Sequence, residues 1–218
     1  MTNVVVFDLD GTLLSNDSTK IWLVRLLKAN IFRWSVAILI FPFAMLLMKT
    51  KTYKVIGSSL FVWIATYGLS KTQLQHKIEH FSQAIKHKQL KDIHWFDDAL
   101  VVLKQHIQDG KTVIIATAAP EILAQTLMRS IGLNICVIGT PIKKIWGGWV
   151  GYAHCRHIEK VQRLHLMGVQ QPWYASYSDD LEADYPLLKH GQHAYLINSK
   201  TPHHLLPTEF KITMLQWS

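Results

Sequence analysis

The stretch Val4-Val5-Val6-Phe7-Asp8-Leu9-Asp10-Gly11-Thr12-Leu13-Leu14 constrains this chain more than any other. Its opening β-branched and aromatic residues make a short, continuous apolar run, which predicts a buried strand. The run stops on two carboxylates, Asp8 and Asp10, whose i, i+2 spacing puts them on the same side of an extended chain. Gly11 and Thr12 then turn the backbone. Ligands of an open α/β sheet bind beyond the carboxyl ends of its strands, which is where this pair sits. Two acids placed together repel and are costly to ionise unless a cation or a proton is shared. The pair therefore predicts a divalent-metal site with one carboxylate free for covalent chemistry.

Periodicity organises the remainder. Ser18 to Asn30 reads as an amphipathic helix with Ile21, Trp22, Leu26 and Leu27 at helical spacing. Trp34 to Met48 carries no charge and lies between Arg33 and Lys49; a second apolar run, Leu60 to Ala65, follows Lys49, Lys51 and Lys54. Ser70 to His87 is again amphipathic, with Leu74, Ile78, Phe81 and Ile85 on one face. From Trp95 onward helices and strands alternate, with Val113 to Thr117, Ile135 to Thr140 and Trp173 to Ser178 as strands and Ala194 to Asn198 as the last. Ile145 to Val150 reads as a hairpin turning at Gly147-Gly148. This alternation predicts an α/β fold, a doubly wound, parallel, Rossmann-like sheet with helices on both faces. Residues 1–14 and 91–218 would form its core, with residues 15–90 inserted after the first strand as a helical, apolar cap.

Strand-Asp8-x-Asp10, strand-Thr117, helix-Lys160 and strand-Asp179-Asp180, with Asp184 following, come in an order that resembles the haloacid dehalogenase superfamily of aspartate-nucleophile phosphatases. The resemblance covers the whole chain and implies a role for each residue. Asp8 would be the nucleophile, dividing phosphate-ester hydrolysis into formation and breakdown of an aspartyl-phosphate. Asp10 would protonate the leaving oxygen and then activate water; an acid at this position selects a phosphatase or phosphotransferase. Mg²⁺, which prefers hard oxygen ligands, would be held by Asp8, the Asp10 backbone carbonyl and Asp179. Thr117 would bond a phosphoryl oxygen, Lys160 would neutralise phosphate and nucleophile, and Asp184 would orient Lys160. The spacing of the last motif leaves Asp180 as the alternative metal ligand.

Gly147-Gly148-Trp149-Val150, Glu159-Lys160-Val161, Tyr177-Ser178-Asp179 and Pro186-Leu187-Leu188 narrow the resemblance to the phosphoserine-phosphatase-like branch. Within it the chain is most similar to the bacterial phosphatidylglycerophosphatases of the C type, which carry a basic, apolar insert directly after the first motif. That likeness implies hydrolysis of phosphatidylglycerophosphate at the inner membrane. The net charge of +8 independently suggests an anionic partner. The basic residues are scattered and match no nucleic-acid-binding pattern, so nucleic acid ranks last among the anionic partners and none is expected. Cys136 and Cys155 are far apart, as in a reducing compartment, and His154, His157, His203 and His204 have no ligand spacing. Met1-Thr2-Asn3 leads straight into the first strand, which predicts a cytoplasmic catalytic part.

Trp34 to Met48 would span roughly 22 Å as a helix, short of the roughly 30 Å hydrocarbon core. Asp8 precedes the insert and its partners follow it, so any crossings must be even in number. A two-pass hairpin would place Lys49, Lys51 and Lys54 outside, against the positive-inside tendency. The expectation is a shallow or re-entrant helical pair on the cytoplasmic face, touching the membrane through Trp34, Ile38, Phe41 and Leu46. A soluble cap over a small-metabolite phosphatase is the alternative.

Overall fold

The structure, a computed structural model, describes residues 3–48 and 54–218. Its centre is a six-stranded parallel sheet of β1 (Val4–Phe7), β2 (Thr112–Pro120), β3 (Cys136–Thr140), β6 (Trp173–Ser178), β7 (Gly191–Ile197) and β8 (Ile212–Leu215), in the order β3-β2-β1-β6-β7-β8. Alternate residues of β1 face opposite sides. Val5 and Phe7 join one buried cluster, while Val6 joins another with Ile114, Ile138, Val161, Leu164 and Trp173. Both faces are covered, so the opening run must be apolar throughout rather than alternating. Helices α5 (Asp97–Gln108) and α6 (Glu121–Ser130) contribute Ala99, Leu103, Leu123 and Leu127 to the first cluster. Helices α7 (Ile158–Leu166) and α8 (Leu181–Lys189) contribute Val161, Leu164 and Leu187 to the second.

The parallel α/β architecture is the expected one, with one addition. Strand β8 lies beyond β7, the strand expected to be last. It is only four residues long and follows an irregular stretch containing Pro202 and Pro207, so its period-2 signal is weak. Tertiary bonds hold its end: the Asn198 amide donates to Trp217 O at 3.0 Å, and Trp217 N–H donates to Asn198 Oδ1 at 2.8 Å.

Four helices lie between β1 and α5: α1 (Ser18–Lys28), α2 (Ile31–Met48), α3 (Lys54–Thr66) and α4 (Lys71–Lys86). The apolar stripes of α1 and α4 are buried as their spacing requires. Helix α2 starts before the uncharged run and continues through Pro42. Ala37 and Ala44 are buried, whereas Ile38, Phe41 and Leu46 are exposed by 57%, 53% and 64%. Trp34 is half-buried, packs on the main cluster and lies beneath Lys28. The second apolar run, in α3, is packed inward: Ile64 and Ala65 are buried, and Phe61 and Trp63 lie against the same cluster. Lys49 and Lys51 lie outside the described residues. Among the described residues, no helix is long and apolar enough to cross a membrane.

The antiparallel hairpin of β4 (Ile142–Ile145) and β5 (Gly148–Gly151) follows β3 and turns at the glycines. It grips the end of α3. Trp63 Nε1 donates to Ile145 O at 2.9 Å, Trp149 N–H to Thr66 Oγ1 at 2.9 Å, and Trp149 Nε1 to Leu69 O at 3.1 Å. A Cβ on Gly148 would stand 2.5 Å from Trp63 Cδ1, so only glycine permits this approach. Arg33 of α2 donates to Ala65 O and Tyr67 O, satisfying carbonyls at the end of α3. These bonds hold the inserted helices to the hairpin at the carboxyl end of β3.

Candidate active site

Strand β1 lies between β2 and β6, the point where the strand order reverses and an open α/β sheet forms its crevice. Phe7 is in register with Ile115 and Tyr177, so Asp8, Thr117 and the Ser178-Asp179 step all leave the sheet at the same edge. Asp8 is fixed there by its N–H, which donates to Tyr177 O at 2.9 Å.

Lys160 closes the constellation from α7. It is 3% exposed, and its Nζ donates to Asp8 Oδ1 at 2.7 Å and to Asp184 at 2.8 Å. Burial alone would lower the Lys160 pKa, but the two adjoining carboxylates outweigh it and hold the ammonium above its ordinary value. Asp184 is also buried and accepts from Ser178 Oγ at 2.7 Å. Its backbone departs from helical geometry (φ −110°, ψ 15°) where α8 kinks ahead of Pro186. The order Asp8, Lys160, Asp184, Ser178 thus forms one continuous run of buried polar contacts.

The other carboxyls are strained electrostatically. Burial pushes Asp8 upward; Lys160 opposes this, and Asp184 and Asp179 add to it. Asp10 is pushed up to about 7 by burial and then by Asp17, against hydrogen bonds from the Ser18 side chain and backbone. The backbone bond runs from Ser18 N–H, at the start of α1, to Asp10 Oδ1 at 2.9 Å. Asp179 is pushed up to about 6, chiefly by burial. Its Oδ1 accepts from Thr12 Oγ1 at 3.3 Å, and its carboxylate lies against Gly11, whose φ is +78°. A Cβ on Gly11 would stand 2.1 Å from Asp179 Oδ2.

The two candidates of the last acidic motif are therefore in different positions. Asp179 reaches the Asp8-Asp10 turn, whereas Asp180 is the N-cap of α8 and accepts from Ala183 N–H at 2.9 Å. Thr117 is 1% exposed, and its Oγ1 accepts from Ala119 N–H at 3.1 Å, leaving its own proton available. Thr12 and Ser178, which the sequence marks only as turn and strand end, also belong to the site, and so does Ser18, which nothing in the sequence marks. A Thr next to the turn glycine was a usable signal; small hydroxyl residues elsewhere are too common to carry one. Among the described residues, no three His, Cys, Asp or Glu side chains gather as a metal-holding group. A cleft of about 700 Å³, lined in part by Asp179, Asp180, Glu182 and Tyr185, opens beside Asp179.

Solved structures share this arrangement of the chain. A protein of unknown function from Bordetella pertussis Tohama I is 19% identical, with a TM-score of 0.65 over 92% of both chains. A substrate-bound phosphoserine phosphatase is 11% identical, and a phospho-aspartyl intermediate analogue of phosphoserine phosphatase is 16% identical. Each gives a TM-score of 0.56 over 92% of this chain and 88% of the other. At such identities the likeness is one of fold. The sequence itself matches the haloacid dehalogenase-like hydrolase family over residues 5–189, and the chain belongs to that family.

Proposed function

We propose that the chain is a phosphomonoester hydrolase working through an aspartyl-phosphate on Asp8, and that it acts on a phospholipid phosphomonoester such as phosphatidylglycerophosphate. The observation that carries the chemistry is the Lys160 ammonium held between Asp8 and Asp184. Lys160 engages Asp8 Oδ1, which leaves the second oxygen to attack phosphorus. The new O–P bond forms as the ester O–P bond breaks. The leaving oxygen takes a proton from Asp10, whose raised pKa keeps a fraction of it protonated near neutrality. Asp10, now ionised, accepts a proton from the water that attacks the acyl phosphate, releasing inorganic phosphate and restoring Asp8. Thr117 Oγ1 donates to a phosphoryl oxygen, and Lys160 offsets charge on the transferring group.

The residues fit Mg²⁺. Asp179 sits in the space a Gly11 side chain would fill, and its charge adds to the burial that already raises Asp8. Buried, mutually repelling carboxylates of this kind are relieved by a hard cation. Asp8, Asp179 and the Asp10 carbonyl would hold it, with water completing the shell. When bound, the ion neutralises charge that develops on the phosphoryl oxygens.

The lipid reading rests on α2. Ile38, Leu39, Phe41, Phe43 and Leu46 are exposed on one helix of a chain carrying a net charge of +8. Exposed apolar patches of this kind mark interaction surfaces, and basic residues near an anionic surface strengthen the contact. Residues 15–90 would then be a cap that rests on the cytoplasmic face of the inner membrane above a core of residues 1–14 and 91–218. The test is turnover of phosphatidylglycerophosphate in anionic vesicles against a panel of soluble phosphomonoesters, with and without a chelator. Preference for the vesicle-borne lipid supports the reading. Preference for a soluble phosphate selects a small-metabolite phosphatase instead.

A further inference from the structure

The β4–β5 hairpin turns through two residues, Trp146 and Gly147, between the paired ends Ile145 and Gly148. Both turn residues have positive φ, +45° and +86°, as the type I′ turn that suits a two-residue hairpin requires. Asn or Asp usually fills the first of these positions, because a bulky L side chain at positive φ is strained. Trp146 gains little from packing in return, since it is 89% exposed. The hairpin's other tryptophan, Trp149, is half-buried and bonded to Leu69 O. Turn geometry and core packing both disfavour tryptophan at position 146, which leaves a contact outside the fold to account for it.

The surroundings indicate the chemistry of that contact. Lys143 and Lys144, on the strand leading into the turn, are exposed. Tyr67 is half-exposed and lies against the turn, its Cε2 3.0 Å from where a Gly147 Cβ would stand. Arg33 donates to Tyr67 O, so α2 begins at this corner, with Ile31 and Phe32 exposed. No Asp or Glu occurs between Asp17 and Glu79 or between Glu121 and Glu159, so α1, α2, α3 and the hairpin carry basic residues but no acidic one. Tryptophan and tyrosine among basic residues are the side chains that settle at an anionic membrane interface. The hairpin also follows β3 at the edge of the sheet from which Asp8 and Thr117 leave. We propose that Trp146, with Lys143 and Lys144, anchors the chain in the interfacial layer of an anionic lipid bilayer. This deepens the lipid reading above: α2 supplies apolar area, and the hairpin tip fixes which edge of the sheet faces the bilayer.

The experiment measures binding of the full chain to vesicles of phosphatidylcholine alone or mixed with phosphatidylglycerol. Wild type should bind the mixed vesicles, and brominated lipid should quench part of its tryptophan fluorescence. Trp146→Asn should weaken binding about tenfold and lose part of that quenching. Its unfolding midpoint should be unchanged or raised, because Asn suits the turn. Lys143→Gln combined with Lys144→Gln should lose about tenfold in binding to the anionic vesicles. If Trp146→Asn fails to fold, Trp146→Gly supplies the same comparison, since glycine also accepts positive φ. Wild type and Trp146→Asn binding equally well would overturn the anchor and leave the lipid reading standing. Wild type that binds neither kind of vesicle contradicts the lipid reading as well. Wild type that ignores vesicles but self-associates, with Trp146→Asn monomeric, would make the tip a protein contact and overturn the proposal.

Discussion

Asp179 occupies the space that a side chain on Gly11 would fill, with its Oδ2 2.1 Å from the position of a Cβ there. Gly11 also has φ +78°, a conformation that L side chains rarely adopt. Gly11→Ala therefore meets strain and a displaced carboxylate together. The expected result is a folded protein whose Mg²⁺ requirement rises about 10- to 100-fold, as for other disturbed supports of metal ligands. Metal titration of activity, with circular dichroism as the fold control, checks it. Asp180→Ala should change the Mg²⁺ requirement far less, because Asp180 caps α8.

Lys160 neutralises two buried carboxylates. Lys160→Met should abolish turnover and destabilise the fold by about 3–5 kcal/mol, since removing one partner strands the others. Adding Asp184→Asn should recover part of that stability without recovering activity. Denaturant unfolding of both variants makes the comparison.

His106 links α5 to the sheet, with its Nε2 2.9 Å from Tyr177 Oη. Burial holds its pKa below the ordinary 6.5. The unfolded chain therefore takes up the proton more readily than the folded one, so this residue's contribution falls as pH drops through about 6.5 and below. Several active-site carboxyls have raised values and act in the opposite direction, so the difference between wild type and His106→Gln is the useful quantity. That difference in unfolding midpoint should shrink on acidification. A constant difference between pH 7.5 and pH 5 would reject the assignment.

Replacing Ile38, Phe41 and Leu46 by Asp changes exposed positions, so the fold should survive. The triple variant should be released from anionic vesicles in a flotation assay and lose lipid turnover, while keeping activity on a soluble phosphomonoester. Unchanged vesicle binding would remove α2 from the proposed contact.

Legibility followed local strength of signal. Strand β1, buried on both faces, could not be written without a continuous apolar run, and the Asp8-x-Asp10-Gly11 turn marked its end. The amphipathic stripes of α1 and α4 were equally plain. Strand β8 was not, because four residues held by Asn198 carry little period of their own. The choice between Asp179 and Asp180 depends on the cap of α8 and on the space above Gly11, neither of which spacing encodes. The α2 run read as one apolar block, yet Ala37 and Ala44 face inward while Ile38, Phe41 and Leu46 face out. Nor does sequence reveal that Ser18, eight residues on, is buried against Asp10, because only tertiary packing determines it.

Phosphoryl transfer to Asp8 is the central claim, and the direct measurement is the site of the covalent label. Wild-type protein mixed with a turned-over phosphomonoester, quenched in acid and mapped by mass spectrometry should carry an acyl phosphate on the peptide containing Asp8. Asp8→Asn should carry none and be inactive, while Asp10→Asn should be slower by about 10²–10⁴-fold. A phosphoryl group found on a Ser, Thr or His, or one that persists in Asp8→Asn, would contradict the account.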